Sequence, residues 1–159
     1  MGSTFTAYRA KGSTMTSAKT MSREKPLILL VDDYPDTVEL TADYLQFRGF
    51  DVITATDGGT ALELAASELP DLMLLDLSLP VVEGLEVVRR VKRAAATSKI
   101  RVIAFTAHAH ESKAAEARAA GCDGFIAKPA VPPDMVREIQ RVLGLPVDPI
   151  AAPVGKSLH

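Results

Sequence analysis

One cysteine, Cys122, leaves no partner for an intrachain disulfide. A single thiol and three histidines, none at a ligand spacing, do not make a zinc site. No apolar run approaches the ~20 residues that a membrane span needs. Neither sign of charge is in large excess: the net charge of −2 argues against nucleic acid as the default partner. No glycine-rich loop follows the first apolar run. Asp32-Asp33-Tyr34-Pro35 stands there instead, which speaks against a dinucleotide-binding enzyme. No internal repeat and no second domain are visible. What remains is an ordinary globular composition, 47% apolar and 24% charged, in a 159-residue chain that suits one domain.

Within that chain, four short polar motifs each close an apolar run. Asp32-Asp33 follows Leu27–Val31, and Asp76 follows Leu72–Leu75. Thr106 follows Ile100–Phe105, and Lys128-Pro129 follows Phe125–Ala127. Short apolar runs between polar stretches read as buried parallel strands. In an open parallel sheet, ligands gather at the carboxyl ends of the strands. Three carboxylates, a hydroxyl and an amine are therefore expected in one crevice, a set that suits a hard cation and a phosphoryl group. Like charges that close repel, and a divalent cation resolves the conflict. Magnesium fits, since it prefers octahedral oxygen coordination and keeps several waters.

From Pro26 onward strands and helices alternate, the pattern of an α/β sheet covered on both faces. Strands are expected at Leu27–Val31, Asp51–Ala55, Asp71–Leu75, Ile100–Phe105 and Gly124–Ala127. Helices are expected near Asp36–Arg48, Gly59–Leu69, Gly84–Ala95, Glu111–Ala120 and Pro133–Leu143. Asp36 reads as the N-cap of the first. Ala61, Leu62, Ala65 and Leu69 form the inward face of the second. Arg89, Arg90, Lys92 and Arg93 read as a solvated face. Cys122, in a Gly-Cys-Asp-Gly turn, reads as a packing residue.

The order of these motifs resembles the receiver domain of two-component response regulators, over residues 26–144. The resemblance rests on Asp32-Asp33, Asp76, Leu79-Pro80, Gly84, Thr106-Ala107 and the run Gly121-Cys122-Asp123-Gly124-Phe125 into Lys128-Pro129. It implies a flavodoxin-like doubly wound sheet of five parallel strands, order 2-1-3-4-5, with five helices. It implies Asp76 as phosphoacceptor. It implies Mg2+ held by Asp33, Asp76 and the Ser78 backbone carbonyl, with Asp32 acting through a water. Thr106 and Lys128 would bind the phosphoryl oxygens. Phe125 would be the aromatic that turns inward as Thr106 moves, and the Lys128-Pro129 bond would be cis. Ser78 and His108 would flank the phosphoryl group and tune its hydrolysis, His108 by shielding the site or by orienting a water.

Taken singly, Asp32 reads as an N-cap, Lys128 as a surface salt bridge and Phe125 as a core aromatic; the set shifts the reading. The function implied is a cytoplasmic single-domain regulator, not a conventional enzyme. It would take its phosphoryl group from a histidine kinase or histidine phosphotransfer protein. It would signal to a protein target through the face of the fourth helix, fifth strand and fifth helix, as a monomer or a phosphorylation-dependent dimer. No nucleic-acid or membrane partner is expected. A receiver cut from a hybrid kinase or larger regulator is the alternative. A phosphatase with an aspartate nucleophile is weaker, because it needs a second acid where Ser78 stands.

Residues 1–25 hold nine Ser or Thr, five Lys or Arg and one acid, Glu24, with no apolar period, and read as a disordered tail. A transit peptide, a myristoylation signal at Met1-Gly2 with Thr6, or a start at Met15 or Met21 are rival readings. Residues 145–159, with Pro146, Pro149 and Pro153, read as a flexible tail.

Overall fold

The computed structural model of the protein describes residues 7–8, 24–80, 82–107 and 110–149. A two-residue strand, β1 (Ala7–Tyr8), precedes five alternating units. These are β2 (Leu27–Val31), α1 (Pro35–Phe47), β3 (Asp51–Ala55), α2 (Gly58–Glu68), β4 (Leu72–Leu75), α3 (Gly84–Arg93), β5 (Arg101–Thr106), α4 (Glu111–Ala120), β6 (Gly124–Ala127) and α5 (Pro132–Leu143). The sheet order is β1-β3-β2-β4-β5-β6. The parallel strands β2 to β6 thus take the expected 2-1-3-4-5 order. Expected and observed element ends differ by no more than two residues.

β1 is an addition within the stretch read as a tail. Ala7 and Tyr8 pair antiparallel with Ile53 and Val52, on the edge that β3 would otherwise leave open. An open edge offers unpaired N–H and C=O groups, and a short partner satisfies some of them. Two residues carry no period, so no sequence pattern could have found this strand.

Alternation along the strands splits the core in two. Leu29, Val31, Met73 and Val102 face α2, α3 and Ala117 of α4. Ile28, Leu30, Leu74 and Ile103 face α1 and α5. Strands buried on both sides must be apolar throughout, which is why β2 and β4 read as unbroken hydrophobic runs. Only Ala117 of α4 is buried, so this helix sits on the sheet by a thin apolar face.

Three local readings change. Asp36 does not cap α1: Pro35 opens the helix after Tyr34, and Asp36 lies in the first turn. Proline suits that place because the missing N–H has no partner there anyway. Leu69 does not face inward; it ends α2 in the left-handed region at φ 46, and Leu64 is buried in its stead. Lys92 is not merely solvated. Its Nζ donates to the Ile100 carbonyl at 2.8 Å and to Asp123 Oδ2 at 2.9 Å, tying α3 to the turn before β6.

Cys122 packs against the α2–α3–α4 side of the core. Burial, and then the neighbouring Asp123 charge, push its thiol up to about 12 against the opposing pull of Lys92. At pH 8 the thiolate fraction is then on the order of one in ten thousand. The folded protein should resist alkylation by iodoacetamide at pH 8, and should react promptly once unfolded in guanidinium. Equal rates in both states would contradict the packing role.

Candidate functional site

Register brings the motifs to one end of the sheet. Val31 pairs with Leu75, so Asp32 and Asp76 leave adjacent strands side by side. Leu75 pairs with Ala104, which sets Asp76 level with the end of β5. Thr106 pairs with Ala127, and Lys128 follows at once. The backbone continues the ladders past the strands: Asp32 N donates to the Ala55 carbonyl, Asp76 N to the Val31 carbonyl and Lys128 N to the Thr106 carbonyl. Asp32, Asp76 and Lys128 are thus each fixed by a main-chain bond just past the end of a strand.

Asp32 is 1% exposed and Asp76 8%. Lys128 Nζ donates to Asp32 Oδ2 at 2.6 Å and to Asp76 Oδ2 at 3.2 Å. The other oxygens accept backbone N–H groups, Asp32 Oδ1 from Tyr34 at 3.0 Å and Asp76 Oδ1 from Ser78 at 2.9 Å. A buried carboxylate stays charged only with such partners. Lys128 also stands 5.0 Å above the centre of the Phe105 ring. Burial draws its ammonium down, but the hydrogen bond and charge of Asp32, then those of Asp76, outweigh that pull and hold it above the ordinary lysine value. Lys128 is therefore a fixed positive charge, not a base.

Asp33 is exposed, yet one oxygen from each of Asp32, Asp33 and Asp76 lies within 4.8 Å of the others. Three carboxylates against one lysine leave surplus negative charge around a small space. All the donors are carboxylate oxygens, and those of Asp32 and Asp76 keep lone pairs beyond their bonds to Lys128, Tyr34 and Ser78. A hard, oxygen-seeking divalent cation fits this set, and a soft metal does not.

The Lys128-Pro129 peptide is cis, as expected. Thr106 is fully buried. By alternation it shares a sheet face with Ala104, whose partner across the ladder is Phe125. Phe125 is half-buried against the α2–α3–α4 side of the core, a diagonal neighbour of Thr106. His108 lies outside the described residues.

Two features were not foreseen. An open cleft beside Asp33 is lined by Leu77, Ser78, Leu79, Pro80, Glu83, His110 and Lys113. His110 and Lys113 reach it from the start of α4, and nothing in their spacing announced that. Behind Asp76, a Cβ on Gly84 would come within 2.5 Å of Leu77 Cα and 2.9 Å of the Asp76 carbonyl oxygen. Only glycine lets α3 start that close to the loop carrying Asp76.

Fold and site together define an open α/β sheet protein with a carboxylate–lysine crevice at its strand ends. Residues 28–140 match the family described as response regulator receiver domain. The polar-differentiation response regulator DivK of Brucella anthropi is 35% identical over 117 residues, 74% of this chain and 95% of DivK. The structure is similar to chemotaxis response regulator CheY4 of Vibrio cholerae, with TM-score 0.71, 30% identity, and coverage of 74% of this chain and 98% of CheY4. It is equally similar to the receiver domain of sensor histidine kinase PA1611 from Pseudomonas aeruginosa, with TM-score 0.71, 29% identity, and coverage of 76% and 98%. That domain has a magnesium ion coordinated in its active site cleft. The chain belongs to the response regulator receiver family, and membership implies dealings with kinase or phosphotransfer partners. Among the described residues no helix is long and apolar enough to cross a membrane.

Proposed function

We propose that this chain is a cytoplasmic response regulator. It takes a phosphoryl group onto Asp76 from a phosphohistidine of a histidine kinase or histidine phosphotransfer protein, and it signals through the face made by α4, β6 and α5. The observation that carries this reading is the geometry around Lys128, which holds Asp32 at 2.6 Å and Asp76 at 3.2 Å. The tighter bond anchors the ammonium. The looser one can pass to an incoming phosphoryl oxygen without leaving Asp32 unpaired in the interior.

Asp33, Asp76 and the Ser78 backbone carbonyl would hold magnesium, with Asp32 acting through a water. The chemistry that ion supplies when bound is positive charge against the phosphoryl oxygens. An oxygen of Asp76 then forms the bond to phosphorus as the phosphorus–nitrogen bond breaks, and the imidazole keeps the electron pair. Lys128 balances the charge on the moving group. Ser78 would flank it, and a small side chain there would leave water an open approach. Transfer and later hydrolysis would be self-catalysed in this sense, with no separate substrate turned over. The test is incubation with acetyl phosphate and magnesium, followed by intact mass. A gain of one phosphoryl group that hydroxylamine removes supports the reading, and no gain counts against it.

A receiver cut from a larger protein remains the second reading, since the PA1611 domain belongs to a sensor histidine kinase. The stand-alone reading draws its support from the 95% coverage of DivK.

Thr106 would donate its hydroxyl to the phosphoryl group, drawing the end of β5 inward and opening room that Phe125 fills by packing alone. Thr106→Ala should therefore still be phosphorylated but transmit less. Amide exchange over residues 108–143, with and without beryllofluoride, reads this. Beryllofluoride should slow exchange in wild type, and the slowing should shrink in Thr106→Ala and in Phe125→Ala. Equal responses in all three proteins would remove the coupling.

A further inference from the structure

We propose that Lys113 selects among phosphodonors by the charge of their leaving group, favouring acyl phosphates, which release a carboxylate. This inference rests on Asp76 being the phosphoacceptor. The open cleft beside Asp33 is built from three parts of the chain. Asp33 comes from just past β2, Ser78 and Glu83 from the connection between β4 and α3, and Lys113 from the first turn of α4. At about 660 Å3 the cleft has room for a small organic group. Among the described residues that line it, Lys113 is the one lysine or arginine, while Asp33 and Glu83 are acids. Its backbone is fixed, Lys113 N donating to the His110 carbonyl at 2.9 Å.

In an in-line transfer an oxygen of Asp76 bonds to phosphorus as the bond on the far side breaks. Asp32, Asp76 and Thr106 are all buried, so the inward side is closed. The leaving group departs on the open side, where the cleft adjoins Asp33. A protonated phosphoimidazole releases neutral imidazole. An acyl phosphate breaks at its bridging oxygen, which keeps the electron pair, and a carboxylate departs with a negative charge. That charge develops beside Asp33 and Glu83, with Asp32 and Asp76 close behind, and like charges disfavour it. Lys128 is already committed to Asp32 and Asp76. The Lys113 ammonium is bonded to Glu116 at 3.2 Å, an exposed pair one turn along the same helix. Such a pair is weak, and a flexible four-carbon stem lets the ammonium turn from it to the departing carboxylate.

The test compares two donors on the full chain with magnesium, the rate of phosphoryl uptake being read by intact mass. Acetyl phosphate releases acetate, and phosphoramidate releases neutral ammonia. In Lys113→Gln the ratio of the acetyl phosphate rate to the phosphoramidate rate should fall about fivefold, the scale of one exposed charge contact. Lys113→Arg should restore most of the ratio. The fall should lie in the maximal rate and not in the donor concentration at half-rate, because the carboxylate charge appears only as the bond breaks. At about 1 M sodium chloride the difference between wild type and Lys113→Gln should shrink. An unchanged ratio in Lys113→Gln would overturn the proposal. So would a fall confined to the half-rate concentration, since Lys113 would then merely attract anionic donors. No uptake by wild type from either donor is a separate result, and it would overturn the Asp76 reading beneath the proposal.

Discussion

Asp76→Asn should give a folded protein that takes up no phosphoryl group, from acetyl phosphate or from a donor kinase. The amide oxygen can still accept the Ser78 N–H that Asp76 Oδ1 accepts at 2.9 Å. The lost bond to Lys128 is the longer of its two, and Asp32 keeps the ammonium paired at 2.6 Å. Removing one of three clustered carboxylates also relieves repulsion. These terms oppose, so stability should move by no more than about 1 kcal/mol. Reactivity does not degrade gradually in the same way: an amide has no charged oxygen to attack phosphorus, and the loss should be complete. Intact mass and a thermal melt read both effects. Wild-type levels of uptake in the Asn protein would mean that another carboxylate is the acceptor.

The second large effect concerns the cation. Wild-type protein should bind magnesium with a dissociation constant on the order of millimolar, since few protein ligands and several retained waters make a weak site. Asp33→Ala should remove this binding, shifting the constant by about tenfold or more, which is ~1.4 kcal/mol. Asp32→Ala should weaken it less, because its role runs through a water. The chain has no tryptophan, so tyrosine emission is readable. Tyr34 adjoins the pair and is exposed. Asp33 is itself exposed, and its loss should leave the metal-free protein at least as stable as wild type. Magnesium should raise the melting temperature of wild type and not of Asp33→Ala. The same affinity in both proteins would sink the coordination scheme.

The strand ends were legible because parallel strands buried on both faces must be continuous apolar runs, so a polar residue marks where each run surfaces. Asp32, Asp76, Thr106 and Lys128 all stand at such points, and register then brings them together. Helix ends were harder. Asp36 carries a capping side chain, but Pro35 fixes the start one residue earlier. Asp57 does cap α2, accepting from Thr60 N at 2.8 Å, and it was passed over. Leu69 fits the apolar period of α2, yet the residue before Pro70 is pushed out of helical geometry. His110 and Lys113 were illegible as cleft residues because their place depends on the path from β5 into α4, not on any period. Phe105 under Lys128 follows from alternation opposite Thr106, a signal that was present and unused.

The most direct measurement is chemical trapping of the modified residue. Wild-type protein is phosphorylated with acetyl phosphate and magnesium, reduced with borohydride, digested and sequenced by mass spectrometry. An acyl phosphate on an aspartate is reduced to homoserine, so position 76 should read as homoserine in phosphorylated samples only. Homoserine at Asp32 or Asp33, or aspartate unchanged at position 76, would contradict the reading.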